Sequence, residues 1–160
     1  MGKQVLEHEL SCKNIKNLFN EKNEKAEKAG LIKIYENDNF FAPMASGAFK
    51  HDGMVVCPCS ITTLSKIASG IADNLICRAS DVCLKERLPL ILLVRETPLN
   101  AIHLQNMYKL SLTGAIIMPA SPGFYFHPNS INDLVGSLIG KILNLLKIKN
   151  DISKQWGNIY

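Results

Sequence analysis

Apolar positions in this chain fall into two kinds of run. Met54-Val55-Val56-Cys57, Pro89-Leu90-Ile91-Leu92-Leu93-Val94 and Gly114-Ala115-Ile116-Ile117-Met118-Pro119 are short, nearly unbroken apolar stretches. Such runs predict strands of a parallel sheet covered on both faces. Between and after them apolar residues recur at helical spacing, which predicts helices over 61–72, 74–86, about 99–112, and from a Ser130 cap to about 146. Residues 3–29, rich in Lys, Glu and Asn, predict a helix with Gly30 as its stop, and Leu31-Ile32-Lys33-Ile34-Tyr35 a short strand. Residues 37–53 and 120–128 are loop-like. Alternation of strand and helix implies an α/β sandwich with a mainly parallel sheet. No repeat or linker interrupts residues 1–160, which are expected to form a single domain.

Composition narrows the class. With 47% hydrophobic and 20% charged residues, the 160-residue chain has the make-up of a globular domain that buries a core without staples. A net charge of +4 suits anionic small molecules and is too weak to argue for nucleic acid. No apolar run reaches the length of a membrane span. Five cysteines (12, 57, 59, 77 and 83) read as reduced thiols, and the expected location is cytoplasmic. Cys57 and Cys59 have no second pair at ligand spacing, and the four histidines show no metal spacing, so no metal is expected.

The candidate chemistry clusters after the strands. In Met54 to Leu64 an apolar run meets Ser60 at a helix start, with Thr62 and Thr63 in the first turn. Hydroxyls and free amides at the positive end of a helix dipole can seat a phosphate, and a capping Ser followed by tolerated Thr explains the same residues. Arg78 and Lys85 lie on one face of a predicted helix, as a basic face or an anion contact. Arg95 and Glu96 follow a buried strand directly, at the edge where open α/β sheets bind ligands. Lys141 falls within or beside the stripe Leu134, Val135, Leu138, Ile139, Ile142, Leu145 and Leu146. A snorkelling lysine and a lysine aimed at a phosphate both account for it. Tyr125, in the loop after Met118, offers a hydroxyl to a phosphate oxygen or covers the core edge.

Together these residues resemble the flavin prenyltransferase family, UbiX, long labelled as aromatic acid decarboxylases. The matching stretches are Ala42-Pro43-Met44-Ala45-Ser46-Gly47, Met54 to Leu64, and Gly70 to Ala79 with Asn74 and Arg78. They continue through Asp81 to Arg87, Val94-Arg95-Glu96-Thr97-Pro98-Leu99, and Pro119-Ala120-Ser121-Pro122-Gly123-Phe124-Tyr125. The resemblance implies a Rossmann-like, three-layer flavoprotein sandwich, assembled as a homododecamer. It implies a metal-independent prenyltransferase that joins a dimethylallyl group from dimethylallyl monophosphate to reduced FMN. The prenylated FMN would serve UbiD-type decarboxylases, often in ubiquinone biosynthesis.

By that resemblance Ser60, Ile61, Thr62, Thr63 and Arg95 hold FMN. Tyr125, Lys141, Arg78, Lys85 and Trp156 bind the prenyl phosphate, with Arg78 and Lys85 in the same anionic pocket, and Glu96 and Glu9 are the carboxylates that assist proton movement. The family's opening strand, glycine-rich flavin loop, first helix and second strand have no counterpart, so the expected fold is N-terminally truncated, by a misassigned start or a shortened gene. Two rivals follow: an aromatic acid decarboxylase acting directly, and a non-catalytic FMN-binding or assembly fragment.

Overall fold

A computed structural model of the protein describes Gly30 and residues 32–152. The chain divides into two compact units, residues 1–36 and 37–160, and the architecture below belongs to the second. The predicted helix over 3–29 lies outside the described residues. Residues 32–36 carry no strand, contrary to the expectation for Leu31–Tyr35. A short apolar run becomes a strand only where a ladder partner and a packed face support it, and none is present among the described residues.

Three parallel strands form the sheet in the order β1-β2-β3: β1 is Met54–Cys59, β2 is Leu90–Val94 and β3 is Ile116–Pro119. Among the described residues four α-helices accompany them: α1 is Ile61–Ala68, α2 is Leu75–Lys85, α3 is Ala101–Leu112 and α4 is Ile131–Leu145. Every residue of β2 is buried, which is why its sequence shows no alternation. Leu90, Leu92 and Val94 pack with Leu64, Ile67, Cys77, Cys83 and Leu110, so α1, α2 and α3 cover one face. Ile91 and Leu93 turn the other way and meet Met118, Leu138, Ile142 and Leu145, so α4 covers the opposite face. The result is a three-layer α/β sandwich of the expected class.

Caps set the helix ends. α1 stops at Ala68, earlier than the predicted residue 72, because Gly70 takes a left-handed conformation (φ +69). There the Gly70 amide donates to Ile67 O at 3.0 Å and the Ile71 amide to Lys66 O at 2.9 Å, closing the last turn. At the start of α2 the Asn74 side chain accepts the Cys77 amide at 2.9 Å. Asn37 takes the two remaining amides, Leu75 through its carbonyl at 2.7 Å and Ile76 through its side chain at 3.1 Å. α3 is tied to α1 by an Asn106 to Ser65 side-chain hydrogen bond of 3.1 Å. In α4 the Ser130 cap forms as predicted, with Asp133 returning the contact. The predicted apolar stripe of α4 is only partly used. Ile142 is buried and Leu138, Leu145 and Leu146 pack on the core, whereas Val135 and Ile139 remain exposed.

Candidate functional site

Strand register builds one side of the site. Cys59 pairs with Val94, and Val94 with Pro119, so the three strands end side by side at about 4.8 Å spacing. Ser60, Arg95 and Ala120 therefore follow in a row along the carboxyl edge of the sheet. The Ala120 amide donates to Val94 O at 2.7 Å and the Arg95 amide to Cys59 O at 3.4 Å, which fixes the row. Ligands of open α/β sheets settle at this edge.

Ser60 is the N-cap of α1. Its hydroxyl accepts the Thr63 amide at 3.2 Å and lies 3.1 Å from Thr63 Oγ1, as donor to it. The capping reading of Ser60 is thus correct, and it leaves the amides of Ile61 and Thr62 as first-turn donors at the positive end of the helix. Thr62 is exposed beside them. Arg95 and Glu96 are both exposed, and Glu96 Oε1 accepts the Thr97 amide at 3.0 Å. This edge presents hydroxyl, amide and guanidinium donors that suit a phosphate group, with the Glu96 carboxylate as an acceptor beside them.

The second part is a cleft of about 740 Å³ between α4 and residues 121–129. Its lining includes Met118, Pro119, Tyr125, Ser137 and Lys141. That volume lies within the ordinary range for small-ligand sites, roughly 300–1,000 Å³. Lys141 stands on the cleft side of α4, beside the packed Ile142. Gly123 makes room for Tyr125: a Cβ there would lie 2.6 Å from Tyr125 Cε1 and would push the ring aside. Phe126 braces the same ring edge-on, with centroids 5.7 Å apart at 86°. Tyr125 and Lys141, chosen separately from the sequence, are brought into one cleft.

Within one chain Arg78 and Lys85 are not brought to that cleft. Both stand on α2, across the sheet from α4. Only residues 86–89 separate Lys85 from the start of β2, which puts it toward the amino-terminal edge. Arg78 Nε donates to Ala45 O at 3.0 Å, and its Nη1 lies 3.5 Å from Asp81. Lys85 Nζ pairs with Glu86 at 3.0 Å. Glu9 and Trp156 lie outside the described residues.

The thiols among the described residues are chemically quiet. Burial pushes Cys59 up to about 12, with the neighbouring Cys77 adding to it, and Cys83 up to about 11. Cys57, though exposed, is also raised by partial burial, so it is no activated nucleophile. Among the described residues no group of three His, Cys, Asp or Glu could hold a metal ion. No helix among them is long and apolar enough to cross a membrane.

The flavoprotein family model matches residues 3–143. The flavin prenyltransferase UbiX of Methanocaldococcus jannaschii is 52% identical over 125 residues, 78% of this chain and 68% of that protein. Its counterpart in Pseudomonas aeruginosa is 51% identical over 129 residues, 81% of this chain and 62% of that protein. Among solved structures, AnUbiX in complex with FMN and dimethylallyl pyrophosphate superposes with a TM-score of 0.75 at 44% identity, covering 77% of this chain and 65% of that one. A dodecameric FMN-dependent UbiX-like decarboxylase from Escherichia coli O157:H7 gives a TM-score of 0.74 at 40% identity, covering 76% and 66%. The chain thus spans about two thirds of the length of these relatives. At this identity over most of its residues, the chain belongs to the flavoprotein family and, within it, to the UbiX flavin prenyltransferases.

Proposed function

We propose that this chain is a flavin prenyltransferase that joins a dimethylallyl group from its phosphate ester to reduced FMN. The observation that carries the reading is the register of the carboxyl edge. It aligns the first turn of α1, the Arg95-Glu96 pair and the loop leading to the Tyr125–Lys141 cleft. Ser60, Ile61, Thr62, Thr63 and Arg95 would hold the flavin phosphate and ring, and reduced FMN supplies the nucleophilic ring atoms. Lys141 and Tyr125 face the leaving phosphate. Their ammonium and hydroxyl groups stabilise the negative charge that develops as the carbon–oxygen bond breaks. The apolar wall of Met118 and Pro119 keeps water from the allylic carbon. Glu96, held at the edge by the Thr97 amide, takes or returns a proton at the flavin.

Arg78 and Lys85, across the sheet from this cleft, act on the phosphate held by a neighbouring copy. The active form is therefore an oligomer with composite sites, a dodecamer by analogy with the bacterial relative. The product would pass to a UbiD-type decarboxylase. The direct test is anaerobic incubation of the purified chain with reduced FMN and dimethylallyl phosphate, followed by mass analysis of the released flavin. A gain of one prenyl unit is expected. Unchanged flavin together with carbon dioxide release from an aromatic acid would establish a decarboxylase instead.

A further inference from the structure

Seen from α2, the segment Pro43–Gly47 is a strap laid across the helix. Its 3-10 turn, Pro43–Ala45, closes with the Ala45 amide on Ala42 O at 3.0 Å and the Ser46 amide on Pro43 O at 3.1 Å. Ala42 and Ala45 are buried, and Arg78 Nε fastens the turn through Ala45 O. At its far end the strap meets Lys85 and Glu86 at a glycine. A Cβ on Gly47 would stand 2.8 Å from Lys85 Nζ and 3.0 Å from Glu86 Cδ, and closer still to Glu86 Oε1. Both charged ends therefore occupy the space where a Gly47 side chain would be.

That convergence is not an automatic result of helix geometry. Consecutive residues on a helix point about 100° apart and do not face each other. Here Lys85 ends α2 and Glu86 is its C-cap, yet Nζ and Oε1 meet at 3.0 Å against the strap. The strap, fixed at Arg78, supplies the backbone surface on which the two side chains are folded together.

We propose that Gly47 is a positioning residue for Lys85 and that Glu86 restrains the same lysine in the unliganded site. Gly47 leaves the gap in which the ammonium lies, and Glu86 is the counter-ion that holds it there until an anionic phosphate takes it over. This rests on the reading of Lys85 as a phosphate contact. It assigns the glycine of the Ala42–Gly47 motif a role in ligand affinity and not in backbone conformation. It also makes Glu86 a competitor of the incoming phosphate, whose removal frees the lysine.

The test is titration of dimethylallyl phosphate into the full chain with oxidised FMN, where no turnover occurs. Lys85→Ala should weaken binding, and no change there would refute the phosphate role of Lys85 and the proposal with it. Given that loss, Gly47→Ala should weaken binding about three- to tenfold, because its methyl evicts the ends of two flexible side chains. The thermal midpoint should hold, since no backbone or ring is displaced. Gly47→Ala with Glu86→Ala should recover part of the affinity, because the methyl still meets Lys85 Nζ but the carboxylate no longer crowds the displaced ammonium or competes for it. Glu86→Gln, which leaves the strap untouched, should tighten binding about two- to fivefold at low salt and less at high salt. Wild-type affinity in Gly47→Ala, or no recovery in the double variant, would overturn the assignment while leaving Lys85 in place.

Discussion

Ser60 and Thr63 are joined twice: the Ser60 hydroxyl accepts the Thr63 amide at 3.2 Å and donates to Thr63 Oγ1 at 3.1 Å. One side chain thus closes the α1 N-terminus and aims a second hydroxyl along the same turn. Cap and ligand roles can be separated by substitution. Ser60→Ala removes the cap and should cost about 1 kcal/mol, a fall in Tm of about 2–4 °C. Ser60→Asp keeps an N-cap acceptor, so Tm should hold. Its carboxylate would repel a flavin phosphate, and FMN affinity should fall about tenfold or more. Equal FMN affinity in Ser60→Asp and wild type would remove the phosphate from this helix.

Lys141 and Tyr125 line one cleft but play unequal parts. Lys141→Ala deletes a charged donor and should weaken dimethylallyl phosphate binding about 10- to 100-fold while FMN affinity stays within twofold of wild type, about 1.4–2.8 kcal/mol against less than 0.5. Calorimetric titration of each ligand reads both. Parallel loss of both ligands would place Lys141 in the flavin seat. Gly123→Ala offers a milder test at the same cleft, because its methyl would displace the Tyr125 ring. It should weaken the prenyl phosphate alone.

How much of this was legible beforehand depended on whether a feature was local. β2 was readable because a strand buried along its whole length is written as an unbroken apolar run, and Ser130 because its cap lies beside the helix it starts. Helical spacing put Arg78 and Lys85 on one face of α2, yet it carries no information on which side of the sheet that helix lies. That side is decided by Cys77 and Cys83 packing with Leu90 and Leu92. The Asn37 caps on α2 and the Ala45 contact of Arg78 span 39 and 33 residues, beyond any local pattern. The Gly47 gap was equally silent, since the side chains that fill it arrive from a distant helix.

The two faces of the sheet make a prediction about assembly. Lys141 and Lys85 cannot serve one phosphate within a single chain, but they can do so across a contact between copies. Lys85→Ala and Lys141→Ala chains should each bind dimethylallyl phosphate poorly. Mixed in equal amounts under conditions that allow subunit exchange, they should restore intact sites to about one quarter of the total, from random placement of each variant beside the other. Titrated stoichiometry measures this. No recovery, with exchange verified by mass-tagged subunits, would mean that the α2 cations serve no composite site.

Cys59 predicts where stability fails at high pH. The thiol is fully buried on the α1 side of β1, and burial lifts it from 9.0 to about 12. A group whose folded pKa is raised contributes stability that is complete below its unfolded value and is lost as pH climbs through the folded one. The loss attributable to Cys59 should therefore begin near pH 9 and continue toward pH 12. Other alkaline groups titrate in that interval, so the informative quantity is a difference. Cys59→Ala costs about 1 kcal/mol of stability at neutral pH by emptying core volume, and Tm falls with it. That deficit should shrink steadily above pH 9, because the variant has no thiolate to bury. Thermal melts of both proteins across pH 7 to 11 decide the matter: a constant offset would show that Cys59 ionises in the folded chain as readily as in the unfolded one.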